Sequence, residues 1–265
     1  MSKNKKIILI FLIIAFALMY LTHALIAFLL KNTSIDTNNF TISMLKIIGG
    51  AGPALAALVI VWKKYDKIEE RNYWKKVFLF KVPVLWWIVA MLSPLLIGVA
   101  ANFLYHGGWW YPDIKINNIA FLPLIFIMSI FAGGAEELGW RGILQDRLSH
   151  KINLLVIGIG IGILWGVWHA PMFMIEIFAH YENCFFTYIL TTIMFSLIMT
   201  LVYYKTKSIL LPILMHASLN TLGNFGFGIP FQQDNVLWIF IISICIVLSA
   251  VVYFSGNFPK KDYII

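Results

Sequence analysis

Long apolar runs separated by short polar stretches dominate the pattern of this 265-residue chain. A helix needs roughly 20 apolar residues to cross the hydrocarbon core of a bilayer. Eight runs of about that length occur, at about 7–30, 43–62, 84–105, 119–145, 153–175, 185–204, 208–227 and 236–256. The pattern therefore predicts an all-α protein, a polytopic bundle of about eight transmembrane helices that forms a single integral membrane domain over 1–265.

Composition supports the same class of protein. Hydrophobic residues make up 61% of the chain and charged residues 12%, and the mean hydropathy is +0.85. Soluble domains do not have this balance. The first run is longer than the apolar core of a signal peptide and is predicted to be a retained span. Cys184 and Cys245 fall in different segments, which indicates no disulfide framework.

The distribution of positive charge predicts an orientation for the chain. The formal net charge is +8, and Lys and Arg favour the cytoplasmic side of short loops. Along an alternating path that starts inside, the inner side holds every Lys and Arg except Lys31, Lys46 and Lys115. This asymmetry predicts that both termini are cytoplasmic, and we expect the membrane to be a prokaryotic plasma membrane. The positive charge is therefore interpreted as a feature of the cytoplasmic membrane face and not as a nucleic-acid-binding surface.

The longest polar stretch, at 63–81, has two interpretations. It is either an interfacial segment whose basic residues face anionic lipid or a solvated loop that only sets topology. Both readings keep it on the inner side of the membrane.

Two adjacent acids, Glu136 and Glu137, lie inside the fourth apolar run. A charged side chain near the bilayer centre costs at least about 2.5–3.5 kcal/mol, so it persists there mainly when it is paired or functional. Glu137 and Arg141 are four residues apart and can neutralise each other on one helix face. Glu136 is turned about 100° away and lacks that partner. A carboxylate in such a setting is suited to take a proton from water.

Histidines also occur in the apolar runs. His23 stands alone, and we interpret it as a packed, hydrogen-bonded residue. His169 follows Trp165 by one helical turn, and His216 precedes Asn220 by one turn on the same face. Polar groups on three helices can satisfy one another only by converging. Together with an acid, imidazoles can orient a water or hold a metal, and an amide can donate to a developing oxyanion.

Three short patterns occur in order along the chain: Glu136-Glu137-x-x-x-Arg141, Trp165-x-x-x-His169 and His216-x-x-x-Asn220. Together they resemble the signature of the CAAX protease and bacteriocin-processing family, whose members are integral membrane proteins. That family includes the type II CAAX prenyl endopeptidases and the Abi-type bacterial proteins. The resemblance covers roughly residues 45–225 and includes GPALAAL at 52–58. Its one departure is a Trp where the second pattern often has Phe.

The resemblance implies an intramembrane endopeptidase that cleaves membrane-associated peptides or proteins, in CAAX-type processing or in bacteriocin maturation and self-immunity. By this resemblance Glu136 is the general base that activates water, and His169 assists at the water or at the substrate carbonyl. His216 and Asn220 complete the site, with Asn220 stabilising the oxyanion. The residues implied to support the site are Glu137, Arg141 and Trp165.

The resemblance leaves the role of a metal open, and the sequence favours a site without a cofactor. A zinc site built from His169, His216 and Glu136 would keep an open position for water, as catalytic zinc does. Neither histidine, however, has a second ligand close to it in sequence. We therefore expect a water activated by glutamate, with zinc as the alternative.

Two other functions are compatible with the same residues. A non-catalytic immunity or binding protein of the same fold would use the polar cluster only for packing. A transporter would use buried acids and broken helices as an ion pathway, but corresponding breaks in the two halves of the chain are missing.

The depth of the site presents a difficulty for convergence. If each predicted span is centred in the membrane at about 1.5 Å per residue, Glu136 and His169 are roughly 15 Å apart in depth. A displaced fourth or fifth helix would remove this separation. Pro171 and the glycines at 158, 162 and 166 favour a displaced fifth helix, because they permit a break and a close approach to a neighbour.

Overall fold

The computed structural model describes residues 2–106, 116–149 and 152–229, where the backbone forms helices and turns and contains no strand. The predicted all-α class is therefore confirmed for the described part of the chain. The longer helices are α1 (Lys3–Asn32), α2 (Phe40–Gly50), α3 (Gly52–Lys64), α4 (Lys67–Val77), α5 (Val84–His106), α6 (Leu122–Ala132), α7 (Leu154–Trp168), α8 (Phe185–Thr206) and α9 (Leu210–Asn224).

The stretch between α6 and α7 is wound irregularly. It comprises a 3₁₀ turn, a turn of α-helix, a π-helix and a second turn of α-helix, and we call it the acid segment. These parts are Gly134–Glu136, Glu137–Gly139, Trp140–Gln145 and Asp146–Leu148. The sequence predicts one span over 119–145, and hydropathy alone gives no sign of this change in winding.

In the described part of the chain, four helical stretches are long and apolar enough to cross a membrane: Lys3–Asn32, Val84–Phe103, Ile119–Leu148 and Phe185–Thr206. Helices α2 and α3 meet at 60° and make a fifth if they form one broken span. Helices α7 and α9 have 15 residues each and are shorter than a typical span. The predicted count of eight is therefore not reproduced, and the run at 236–256, Lys115 and Cys245 lie outside the described residues.

Helix α7 ends earlier than the predicted span over 153–175. It stops at Trp168, and a 3₁₀ turn follows over Ala170–Phe173. Pro171 explains the early end, because proline has no backbone N–H to continue the helix and restricts the residue before it. His169 consequently caps α7 instead of lying within a longer span.

Glycines allow close contacts between helices at two places. A Cβ on Gly52 would lie 2.8 Å from the Ala15 carbonyl oxygen, so α3 packs directly on the α1 backbone. Along α7, a Cβ on Gly158 would lie 2.8 Å from Leu197 Cδ2 and one on Gly166 would lie 2.9 Å from Ile189 Cγ1. The predicted packing role of the α7 glycines is confirmed, and the partner helix is α8.

One end of the bundle gathers most of the described basic residues, and we call it the basic end. Contacts define it: Lys3 and Arg147 both bind Glu69, and Lys76 binds Asp146. The Tyr203 hydroxyl donates to Asp146 at 2.6 Å. The basic end thus includes the start of α1, all of α4, the end of the acid segment and the connection between α8 and α9.

Helix α4 shows that the polar stretch at 63–81 is not a solvated loop. Asp66 and Glu69 form a capping box at its start, and a capping box satisfies backbone donors that would otherwise lack partners. Tyr73 is buried and donates to the Leu138 carbonyl at 3.0 Å. Helix α4 is therefore anchored directly on the acid segment.

The opposite end of the bundle is held by a small apolar cluster of Ile26, Ile42, Ile175 and Phe178. His23 lies nearby, with its Nδ1 2.8 Å from the Met19 carbonyl and its ring against Phe178. The predicted packing role of His23 is therefore confirmed. This cluster joins α1 and α2 to the loop over 169–184, which connects α7 to α8.

Candidate active site

The acid segment buries both adjacent glutamates. Glu136 ends its 3₁₀ turn and is 5% exposed, and Glu137 begins the next turn and is 0% exposed. The π-helix that follows is a kind of winding often found at functional sites. Adjacent residues of a helix point about 100° apart, so the two side chains face different partners.

Two indoles hold the Glu136 carboxylate. Its Oε2 accepts a hydrogen bond from Trp165 Nε1 at 2.9 Å and another from Trp140 Nε1 at 3.3 Å. An indole N–H can only donate, so both bonds favour the carboxylate as acceptor. Both donors bind the same oxygen, Oε2. Among the described residues, none donates a hydrogen bond to Oε1.

Glu137 lies between a guanidinium and an imidazole. Its Oε2 is 2.7 Å from Arg141 Nη1, and its Oε1 is 3.0 Å from His216 Nδ1. Arg141 Nη2 also donates to the carbonyl and hydroxyl oxygens of Ser196 on α8. The predicted pairing of Glu137 with Arg141 is confirmed. The contact with His216 links the acid segment to α9, and sequence spacing did not predict it.

The two site histidines present one ring nitrogen each. His169 Nδ1 is 2.9 Å from the Trp165 carbonyl, which can only accept, so this nitrogen carries a proton. His216 Nδ1 faces the Glu137 carboxylate and carries a proton for the same reason. In each ring Nε2 is therefore the nitrogen that is left for chemistry, as an acceptor when the ring is neutral and a donor when it is charged.

Gly133 marks the place where His216 and Asn220 converge. A Cβ on Gly133 would lie 3.0 Å from His216 Nε2 and would collide with Asn220 Nδ2. Both nitrogens therefore reach the backbone directly before the turn that carries Glu136. Two polar nitrogens from one helix that meet at one point can bind a single oxygen atom of a ligand.

A cavity of about 570 Å³ brings the predicted residues together. Its lining includes all four residues predicted to act in catalysis: Glu136, His169, His216 and Asn220. Trp165 also lines it, bonded to Glu136 and with its ring 6.1 Å from that of His169. The separation in depth predicted from centred spans is therefore wrong, because α7 stops at Trp168 and the fourth span is broken just before Glu136.

The cavity also contains residues that the sequence did not single out. His180 lies on the loop after α7, with its ring 5.9 Å from the His169 ring and 5.1 Å from the Tyr188 ring. Its Nδ1 is buried without a hydrogen-bond partner in the described part of the chain. Burial lowers the pKa of His180. His180 was not predicted because it lies between the predicted apolar runs at 153–175 and 185–204, and only histidines inside such runs were considered.

The side chains named for a zinc site, Glu136, His169 and His216, all line the cavity. Among the residues that the structure describes, no three His, Cys, Asp or Glu side chains are grouped as metal ligands. The three side chains thus share a cavity without forming a set of ligands.

Comparisons with known proteins match the same part of the chain. Residues 118–222 match the model of a family described as type II CAAX prenyl endopeptidase Rce1-like. The chain is also 26% identical over 197 residues to CAAX prenyl protease 2 of Methanococcus maripaludis, which covers 67% of this chain and 70% of that protein. The matched family region contains every residue of the acid segment and all four cavity residues predicted from the sequence.

Proposed function

We propose that this chain is a membrane protease of the CAAX protease and bacteriocin-processing family, to which it is similar, and that it cleaves membrane-associated peptides with a water activated by Glu136. One observation carries the proposal: an acid from the acid segment, an imidazole at the end of α7, and an imidazole and an amide from α9 line a single cavity. Groups of this kind are costly inside a membrane protein, so their convergence favours chemistry over packing alone.

The proposed reaction begins with a water held between Glu136 and His169. The two indoles fix Glu136 through Oε2, which leaves Oε1 to take the proton of the water. His169 Nε2 accepts the second hydrogen of that water and so orients its oxygen toward the scissile carbonyl carbon. As the new C–O bond forms, the proton passes to Glu136, which acts as a general base.

The carbonyl oxygen becomes negative in the same step and needs donors. Asn220 Nδ2 and His216 Nε2 meet near Gly133, and we propose that they bind this oxyanion. Glu137 supports the donor role of His216, because a carboxylate at Nδ1 stabilises the charged ring in which Nε2 also carries a proton. Collapse of the intermediate breaks the C–N bond, and Glu136 returns its proton to the leaving amine.

Substitution of Glu136 tests this mechanism directly. Wild type and Glu136→Gln are reconstituted in liposomes with a panel of membrane-tethered peptides, which includes a C-terminal CAAX peptide and a peptide with a bacteriocin leader. A general base contributes roughly 10²–10⁴-fold to a rate, so we expect a loss of at least 100-fold in Glu136→Gln. Glu70→Gln is the matched control, because Glu70 is exposed on α4.

Full activity of a correctly inserted Glu136→Gln protein would reject Glu136 as the base. Protection of cells against a peptide toxin tests the alternative function, a non-catalytic immunity protein. If protection of cells against a peptide toxin survived the loss of both His169 and His216, the cavity would serve binding or packing instead of hydrolysis.

A chelator arm of the same assay addresses zinc. Because the described residues form no ready set of ligands, we expect equal cleavage rates with and without a strong chelator. A rate that fell with the chelator and returned on addition of zinc would favour the metal alternative.

A further inference from the structure

The cavity reaches the surface at the end of the bundle that lies opposite the basic end. Ala179, Gly223 and Asn224 line the cavity and are exposed. Ala179 lies in the loop over 169–184, and the other two lie at the end of α9. The start of α9 is at the basic end, where Ile209 N donates to the Lys76 carbonyl. The length of α9 thus separates the exposed rim of the cavity from the basic end.

A packed layer closes the cavity toward the basic end. The π-helix of the acid segment is buried along its whole length, with Trp140, Arg141 and Gln145 each 0% exposed. Arg141 Nη2 donates to the Ser196 carbonyl, and Gln145 Nε2 donates to the Thr200 carbonyl at 2.9 Å. Two hydrogen bonds, about one helical turn apart, therefore attach this layer to α8. A peptide could reach Glu136 from the basic end only if this layer came apart.

Charge distinguishes the two ends of the bundle. The basic end carries Arg147 and the lysines of α4, together with Lys3 at the start of α1 and Lys205 at the end of α8. At the opposite end the described cations are Lys31 and Lys46. Lys and Arg accumulate on the cytoplasmic side of membrane proteins. The same rule therefore places the exposed rim of the cavity on the extracytoplasmic side.

We propose that substrates enter the cavity from the extracytoplasmic side and are peptides displayed at the outer leaflet. This inference rests on the proposed function and narrows it to exported, membrane-anchored chains, in preference to proteins that are lipidated at a cytoplasmic C-terminus. The chemistry of the rim fits a peptide. The Asn183 and Asn224 amides each donate one N–H to a carbonyl of their own segment, and each has a second N–H and a carbonyl oxygen that can bind an extended backbone.

Cysteine labelling tests the placement of the rim without any need for activity. In a Cys184→Ser, Cys245→Ser background, Glu182→Cys reports on the rim and Lys75→Cys on the basic end, since both positions are exposed. We expect a membrane-impermeant maleimide to label Glu182→Cys in intact cells at least tenfold more than Lys75→Cys. After permeabilisation, both should be labelled. The reverse order in intact cells, or equal labelling of both positions, would overturn the placement.

Two reporters of opposite topology then test the class of substrate. Each carries the same cleavable peptide next to one transmembrane helix, on the extracytoplasmic side in one reporter and on the cytoplasmic side in the other. Wild type should cleave the first at least tenfold faster, and Glu136→Gln should cleave neither. Preferential cleavage of the cytoplasmic reporter would overturn the inference. If wild type cleaved neither reporter while the labelling came out as expected, the proposed function would fail and the placement of the rim would stand.

Discussion

Trp165 Nε1 on α7 donates to Glu136 Oε2 on the acid segment at 2.9 Å, and this bond joins two helices at the proposed base. Trp165 therefore does more than provide an aromatic wall beside His169. It fixes which carboxylate oxygen remains for water, because the second donor, Trp140, uses the same Oε2.

The first prediction concerns this bond. Trp165→Phe keeps an aromatic ring but removes the N–H donor, so the Glu136 carboxylate retains only the longer bond from Trp140. A hydrogen bond to a charged group contributes about 1.5–3 kcal/mol, and about 1.4 kcal/mol corresponds to a factor of ten in rate. We expect the cleavage rate per folded molecule to fall at least tenfold, as measured with a tethered peptide in liposomes.

Trp62→Phe is the matched control, because Trp62 is 75% exposed on α3. It should retain the wild-type rate. A Trp165→Phe protein with an unchanged rate would show that the bond between the helices does not position the base.

Gly133 offers a second test, at the proposed oxyanion site. A Cβ at this position would collide with Asn220 Nδ2 and press on His216 Nε2. We expect Gly133→Ala to reduce the cleavage rate at least 100-fold, because loss of one oxyanion donor costs about 10²–10³ in rate. The rate is measured at saturating peptide, so that a loss of binding alone does not account for the result.

Gly160→Ala is the corresponding control, because a Cβ on Gly160 meets nothing within 4 Å. Its activity should equal that of wild type, and it should be slightly more stable, since alanine in a helix is favoured over glycine by roughly 0.5–1 kcal/mol. Equal activities of the two alanine variants would argue against an oxyanion site beside Gly133.

The third prediction addresses the buried ion pair. Glu137→Ala would remove the carboxylate that lies 2.7 Å from Arg141 Nη1 and leave the guanidinium, which is 0% exposed, without its ion-pair partner. Breaking a buried pair by removing one partner costs about 3–5 kcal/mol. We expect a marked fall in the thermal unfolding midpoint in detergent, whereas Glu70→Ala on the exposed face of α4 should behave as wild type. A midpoint equal to that of wild type would mean that Arg141 does not depend on Glu137.

Uninterrupted apolar runs made α1, α5 and α8 predictable from the sequence. Each is long enough to span a bilayer, and no proline-led turn ends it early. The end of α7 was harder to predict. Apolar residues continue past Trp168 and favour a longer helix, whereas Pro171 favours an earlier end. The irregular winding after Gly133 could not be read from hydropathy, because paired small residues are compatible with either a continuous or a broken helix.

The residues of the site were more predictable than their pairing. Glu137 and Arg141 form the ion pair that their spacing predicts, because side chains four residues apart are neighbours on the surface of a helix. The bond of His216 to Glu137 instead of Glu136 depends on how α9 is rotated against the acid segment. Spacing within one helix carries no information about that rotation. The same limit applies to His180, whose position depends on the fold of a loop.

The last prediction concerns pH and the contacts that hold α1, α4 and the acid segment together at the basic end. Burial alone would raise the pKa of Glu69, but donors from Lys3, from the Asp66 backbone and from Arg147 outweigh it and hold the pKa below its ordinary value of 4.5. A carboxyl group with a lowered folded pKa stabilises the protein above its unfolded pKa, and this stabilisation is lost as the pH falls through the folded pKa. Glu69 should therefore contribute fully at pH 7 and progressively less below about pH 4.5.

Glu69→Gln measures that contribution. A network of exposed and half-buried charges contributes about 1 kcal/mol, which corresponds to roughly 2–4 °C in the unfolding midpoint of a protein of this size. We expect Glu69→Gln to unfold below wild type by about that amount at pH 7. The difference should shrink as the pH falls through the lowered pKa of Glu69, because the protonated carboxyl group is then uncharged like the Gln side chain. Glu70→Gln, which alters the adjacent exposed acid, should match wild type at pH 7. A difference between Glu69→Gln and wild type that stayed constant from pH 7 to pH 3 would mean that the side chain stabilises the basic end by packing rather than by charge.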